Sequence, residues 1–209
     1  MILDSHITTY LHSLDSDGPL WLEQIRTYAE EAKVPVIRRE MESFIKVLLN
    51  ISQPGRILEI GTGIGYSALF MHSVLPEARI TTIENYEPRL KDCRRFLAGH
   101  PEITLMEGDG KEILAGMTEP ADLVFLDAAK GQYILMLPDI LRLLPAGGIL
   151  LADNVLQDGE LIRSRYIVPR RQRTIHSRMR EFLWEVRHCP ELEATIIPMG
   201  DGIVLGIKR

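Results

Sequence analysis

The sequence predicts an α/β chain built on a doubly wound, mostly parallel sheet of seven strands, with extra helices before it and an antiparallel hairpin at its end. Three observations predict it. From Arg56 to about Asp153, short apolar runs alternate with helix-period segments, the pattern of a parallel sheet covered on both faces. Those runs are apolar almost throughout, as strands buried on both sides are. The last two runs follow one another through Met199, Gly200 and Asp201 alone, and so short a turn makes an antiparallel pair.

The elements follow in order. The first 50 residues read as helices. Arg38 to Asn50 places Met41, Phe44, Ile45, Leu48 and Leu49 at the i, i+3, i+4, i+7, i+8 spacing of a helix face, with a break marked by Pro35. RILEIG (56–61) reads as a strand, followed by a glycine-rich turn and a helix to about Val74. RITTIE (79–84) is a second strand, and a helix runs from Pro88, a favourable first-turn residue, to about Ala98. ITLME (103–107) precedes a short helix after Gly110. DLVFLD (122–127) precedes a helix from about Gly131 to Leu144. GGILLAD (147–153) is the fifth strand. A helix from Arg173 to His188, with Ile175, Met179, Phe182, Leu183 and Val186 as its buried stripe, leads to LEATIIP (192–198) and GIVLGIK (202–208).

A chain of 209 residues reads as one domain, 1–209, and is long enough to bury a core without staples. Apolar residues at 45% and charged residues at 25% exclude a disordered chain. Two cysteines, Cys93 and Cys189, form no CxxC pair and no zinc-like spacing, so a reduced intracellular pair is expected. No run reaches the ~20 apolar residues of a membrane span. Met1 to Tyr10 carries Asp4 and His6 and no basic region, unlike a secretion signal. The expectation is a cytoplasmic protein with no membrane partner. A net charge of −5 gives no hint of nucleic acid by itself.

The turn after the first strand reads Glu59-Ile60-Gly61-Thr62-Gly63-Ile64-Gly65-Tyr66-Ser67. Its glycines allow a tight turn and close approach to a ligand at a helix N-terminus. A dinucleotide fingerprint, GxGxxG, needs its third glycine where Tyr66 stands, which argues against a dehydrogenase. The spacing GxGxG, with Glu59 before it, resembles motif I of class I methyltransferases, which bind S-adenosylmethionine on a Rossmann-like sheet. That resemblance implies that Ser67 and the amides after Gly65 hold the cofactor's carboxylate. Glu84, nineteen residues past Gly65 at the end of the second strand, suits the ribose hydroxyls, although an acid there also occurs in NAD proteins. Asp109 and Gly110 follow the third strand, where this fold meets the adenine.

Two further strand ends carry chemistry. The fourth ends in Asp127-Ala128-Ala129-Lys130, and Asp153-Asn154 follows 26 residues after Asp127. Both lie at the carboxyl edge of a parallel sheet, where ligands bind. Two carboxylates and an amide are three oxygen ligands, a set suited to Mg²⁺ or Mn²⁺. As bare structure, Asp127 would cap a helix and Asp153-Asn154 would be a turn. LDAAK followed by ADN resembles the metal-dependent O-methyltransferases related to the catechol and caffeoyl-coenzyme A enzymes, from about Val34 to the C-terminus. The resemblance implies Asp127, Asp153 and Asn154 as metal ligands and Lys130 as general base. It implies Ile37, Glu59, Gly61, Gly63, Gly65, Ser67, Glu84, Asp109, Gly110 and Asp127 as cofactor-binding residues, and a homodimer.

The acceptor is read from the segment after the metal site, about 155–190. Seven arginines (163, 165, 170, 171, 173, 178 and 180) stand between Leu161 and Arg180 with no acid among them. Charge runs are ordinarily solvated faces, but one so one-sided is unusual. Arg173, Arg180 and Arg187 share a helix face with Trp184, and arginine beside an aromatic suits phosphates and bases. NVLQDG and RRQRTIHSRMREFL resemble the bacterial branch that methylates 5-hydroxyuridine at the tRNA wobble position. By that resemblance Arg170, Arg171, Arg173 and Arg180 bind RNA, and the base's adjacent 5-hydroxyl and 4-oxo oxygens meet the metal. A small catechol-like phenol is the rival acceptor. A non-catalytic tRNA-binding module would not need Lys130 beside three ligands.

Overall fold

The computed structural model describes residues 5–15 and 18–209; Met1–Asp4, on which part of the leader expectation rests, lie outside them. Three helices come first: α1 (Ser5–Ser13), α2 (Leu20–Glu31) and α3 (Arg39–Ser52). Then follow β1 (Arg56–Ile60), α4 (Tyr66–Val74), β2 (Arg79–Glu84), α5 (Glu87–Leu97), β3 (Ile103–Glu107), α6 (Gly110–Gly116), β4 (Leu123–Leu126), α7 (Tyr133–Leu143) and β5 (Ile149–Ala152). The chain closes with α8 (Arg173–His188), β6 (Leu192–Ile197) and β7 (Ile203–Lys208).

Local chemistry accounts for the boundaries. Helix α3 buries Met41, Ile45 and Leu49 at four-residue spacing and stops at Gln53, whose φ of 45° no helix can continue. Pro88 lies in the first turn of α5. Asp109 caps α6 by accepting from the amides of Lys111 and Glu112 at 3.0 and 3.2 Å. The helix expected from Gly131 begins instead as a tighter turn, Lys130–Gln132, closed by Gln132 N–H to Ala129 O at 2.8 Å.

The sheet order is β3-β2-β1-β4-β5-β7-β6. β1 to β5 are parallel, and β7 runs antiparallel to both β5 and β6. Alternate strand residues point into two apolar layers. Ile57 and Phe125 pack with α2, α3 and α4, while Leu58, Val124 and Leu126 pack with α7 and α8. The winding reverses between β1 and β4, and this is where ligands bind in such sheets. Register sets Ile60 beside both Ile83 and Leu126, so the residues after β1, β2 and β4 leave the sheet at one edge.

One helix face is corrected by the structure. In α8 the fully buried residues are His176, Met179, Phe182 and Val186, whereas Ile175 is exposed and Leu183 is partly covered. His176 takes the inner place because the carbonyl of Arg163 lies 3.2 Å from its Nε2, which satisfies one ring nitrogen. Among the described residues no helix is long and apolar enough to cross a membrane, and both cysteines are free.

Candidate active site

The glycine turn is packed against the end of β4. The amides of Gly61 and Thr62 donate to Ile83 O at 2.9 and 3.2 Å, and Asp127 N–H donates to Ile60 O at 2.9 Å. Gly61 has φ +97°, and a Cβ there would stand 2.1 Å from the Asp127 carbonyl oxygen, so glycine alone permits this approach. Gly63 has φ +59° and faces open space. Its amide donates to Glu84 at 2.7 Å, and the other oxygen of Glu84 accepts from the amides of Asn85 and Tyr86. The Glu84 carboxylate is thereby held at a fixed orientation on the wall of a cavity.

That cavity, about 640 Å³, is of ordinary ligand size. It brings together Ile37, Gly61, Gly63, Ser67, Glu84, Asp109, Gly110, Asp127, Lys130, Asp153 and Asn154. Two of the expected cofactor residues are not on its wall, Glu59 and Gly65. Glu59 is wholly buried behind it and accepts from the hydroxyls of Thr62 and Thr82 at 2.6 and 2.5 Å. Burial pushes its carboxyl above the usual range, against the opposing hydroxyls of Ser67, Thr62 and Thr82. Glu59 therefore braces the turn from inside.

The chemistry-bearing end of the cavity centres on Asp127. Its Oδ1 accepts from Lys130 Nζ at 3.0 Å and lies 3.2 Å from the Asn154 amide nitrogen. Asn154, at φ 58°, also donates its backbone N–H to Asp153 Oδ1 at 2.6 Å. Burial first, and then the charge of Asp127, push Asp153 up to about 7. Burial acts to lower Lys130, but Tyr133 and Asp127 outweigh it and hold the ammonium above its ordinary range. Asp127 and Asp153 act on one another through their charges, and Lys130 supplies one opposing charge. Asp127, Asp153 and Asn154 line one cavity, and the amide's O and N are interchangeable by rotation, so the donor set fits a hard divalent ion. Among the described residues no three His, Cys, Asp or Glu side chains gather as a metal cluster; this set is two carboxylates and an amide.

Sequence reasoning missed Tyr133. Its buried hydroxyl accepts from Lys130 Nζ at 3.1 Å and lies 3.0 Å from Asp153 O. A tyrosine opening an apolar helix reads as core, and only its position three residues after Lys130 hinted otherwise. Asp201, on the β6–β7 turn, and Arg38, which donates to it at 2.8 Å, also line the cavity and were not singled out.

The arginine-rich segment lies beside this end of the cavity rather than in it. Ile175 and Arg178 of α8 approach Gly131, and Arg178 donates to Gly131 O at 3.1 Å. Arg163, Arg165, Arg170, Arg171 and Arg180 are exposed, together with Ile162, Tyr166, Ile167 and Trp184. Arg173 is occupied locally, donating to Val168 O and Tyr166 O at 3.1 and 3.2 Å. Arg187 donates to Ala194 O.

A family model described as O-methyltransferase matches residues 12–209. Tapetum-specific methyltransferase 1 of Arabidopsis thaliana is 31% identical over 184 residues, 84% of this chain and 77% of the relative. Catechol O-methyltransferase of Niastella koreensis is 31% identical over 197 residues, 86% of each chain. The crystal structure of the O-methyltransferase TomG from Streptomyces achromogenes in complex with SAM superposes with a TM-score of 0.83 at 25% identity, covering 97% of this chain and 96% of that one.

Proposed function

The chain belongs to the O-methyltransferase family, and from that premise we propose that it transfers a methyl group from S-adenosylmethionine to a hydroxyl oxygen with the help of Mg²⁺ or Mn²⁺. The observation that carries the reading is the position of Asp127. It lines the cavity beside Gly61 and Glu84, and its carboxylate is shared by Lys130 and Asn154. Glu84 presents a fixed carboxylate suited to a pair of ribose hydroxyls, while Ile37, Ser67, Asp109 and Gly110 line the remaining wall. The bound cofactor supplies an electrophilic methyl on a sulfonium. A cation on Asp127, Asp153 and Asn154 would acidify the acceptor hydroxyl and draw off the charge that keeps Lys130 protonated. Lys130, having released its own proton to solvent, would take the hydroxyl proton. The acceptor oxygen would then be free to form a bond to the methyl carbon as the C–S bond breaks, leaving a thioether. Tyr133 keeps Lys130 aimed at this point.

The acceptor in this reading is 5-hydroxyuridine at the tRNA wobble position, with tRNA as the partner. Its support is the group of exposed arginines beside an exposed Tyr166 and Trp184, on a segment that packs against the Lys130 turn. A catechol-type small acceptor is the second reading, favoured by the likeness to the Niastella koreensis enzyme. Exposed Ile7, Tyr10, Val47 and Ile51 on α1 and α3 support a homodimer, which light scattering tests. The deciding experiment offers bulk tRNA from cells lacking this protein, and catechol, to the enzyme with labelled S-adenosylmethionine. Label in tRNA, lost with chelator and regained with Mg²⁺, is expected. Label in catechol alone overturns the tRNA acceptor, and chelator-resistant turnover overturns the metal.

A further inference from the structure

Segment 34–38, between α2 and α3, has no regular structure, yet Pro35, Val36, Ile37 and Arg38 form one wall of the cavity. Something must hold so irregular a strap in place. At its far end Arg38 pairs with Asp201. One residue earlier, Arg26 Nη2 donates to Ile37 O at 2.8 Å and to Glu42, and Arg26 Nε donates to Tyr66 Oη at 3.2 Å. Tyr66 Oη in turn donates to Glu42 at 2.5 Å, and the guanidinium stands 4.7 Å from the Tyr66 ring centre. Arg26 and Glu42 are each 8% exposed and Tyr66 is 2% exposed. One guanidinium therefore ties together α2, the strap, α3 and the first residue after the glycine turn.

The chemistry of this group is unusual for a helix-helix contact. A buried ion pair gains little over apolar residues of the same volume, since both charges lose water. Apolar side chains would glue α2 to α3 equally well, but they cannot fix a backbone carbonyl. This network does so, and its third member, Tyr66, lines the same cavity as the carbonyl's own residue.

We propose that Arg26, Glu42 and Tyr66 form a positioning network that holds the Ile37 strap over the cofactor cavity, so that cofactor affinity is set partly by side chains behind the wall. The inference rests on the S-adenosylmethionine reading of that cavity. Arg26 and Glu42 are positioning residues, since neither lines it. The strap and the glycine turn are two walls of one cavity, and release of the strap widens the distance between them. The loss falls on binding, while Lys130 and its partners are untouched.

The test is calorimetric binding of S-adenosylhomocysteine, without acceptor or turnover, to the parent chain and to Tyr66→Phe, Glu42→Gln and the double variant. Each single change is expected to weaken binding about tenfold, the effect of one charge-assisted hydrogen bond. The double variant should weaken it by less than the product, because both act through one network. In Glu42→Gln, whose side chain does not line the cavity, the cofactor KM should rise likewise with kcat at saturation within about twofold, and amide exchange over 34–38 should quicken in both variants. Ile140→Val, in the opposite core layer, is the control for general destabilisation: a lower melting midpoint with unchanged affinity is expected. Affinity within about twofold of the parent in folded Tyr66→Phe and Glu42→Gln overturns the network, as does an equal loss in Ile140→Val. A parent chain that binds no S-adenosylhomocysteine overturns the cofactor reading beneath it.

Discussion

Adding one methyl group at Gly61 should damage this protein far more than adding it at Gly63, two residues away. At Gly61 the new Cβ would lie 2.1 Å from Asp127 O, 2.7 Å from Asp127 C and 2.9 Å from Ala128 Cα, all backbone atoms. Ordinary contact begins near 3.4 Å, so the turn and the end of β4 must part by more than 1 Å. Overpacking of this kind costs about 1–3 kcal/mol, and alanine at φ +97° adds roughly 1–2 kcal/mol. Gly61→Ala should therefore lose about 2–5 kcal/mol. Gly63→Ala has φ +59° and no atom within 4 Å of its Cβ, so only the conformational penalty of roughly 1–2 kcal/mol applies. Urea unfolding of both variants reads the difference directly from their midpoints, provided that the slopes agree. Because the moved backbone belongs to Asp127, Gly61→Ala should also lose S-adenosylhomocysteine and metal affinity together. If the two variants are equally stable within about 0.5 kcal/mol, the close approach between turn and strand does not exist as described.

Lys130, Asp153 and the exposed arginines each give a further test. Lys130→Ala should lower kcat by roughly 10²–10⁴ while S-adenosylhomocysteine affinity stays within about twofold, as calorimetry and steady-state rates will show. Asp153 has a folded pKa of about 7 against an ordinary 3.8, so the native state binds more protons between those values; metal-free stability should fall as pH rises through about 4 to 7, and the Asp153→Asn variant should flatten that fall in denaturant melts with chelator. Replacing exposed Arg170, Arg171 and Arg180 by Ala should weaken tRNA binding and reduce its salt slope by up to about three, with catechol turnover unchanged; an unaltered slope in filter binding would remove the RNA reading's physical support. Arg173 is left in place there because it holds the carbonyls of Tyr166 and Val168.

The fold was legible because its signals are periodic. Buried parallel strands must be apolar throughout and amphipathic helices must repeat near 3.6 residues, so every strand fell within two residues of its expected range. The cavity was legible where chemistry sits at strand ends, as with Glu84, Asp127 and Asp153. What periodicity cannot show is a polar residue on an inward face. Glu42 lies next to Met41 on the buried side of α3, and Arg26 next to Ile25 on α2; both pass for solvated charges until a partner 16 residues away in sequence supplies the hydrogen bond. His176 displaced Ile175 from the α8 stripe for the same reason. Glu59 failed differently: its position before the turn is that of a ligand contact, but the hydroxyls of Thr62 and Thr82 turn it inward.

Asp127 explains why the two halves of the site cannot be tuned apart. Its backbone carbonyl limits how closely Gly61 approaches, and its amide is bonded to Ile60 O, so the glycine turn and the start of the Lys130 segment move as one body. Its carboxylate meanwhile fixes Lys130 and faces Asn154. A shift in the glycine turn, unlike one in the 34–38 strap, is thus transmitted within one residue to the proposed base and metal ligands. The acceptor side is tied at its root and then runs free of the cavity. After Asn154 the amides of Val155 and Leu156 donate to Gly202 O and Asp201 O at 2.9 and 2.8 Å, Arg178 meets the Gly131 carbonyl farther on, and the exposed arginines are spread along the surface. If the proposed reaction holds, substitutions in the arginine-rich segment should change which hydroxyl is presented, whereas substitutions around Asp127 should disturb cofactor, metal and base at once.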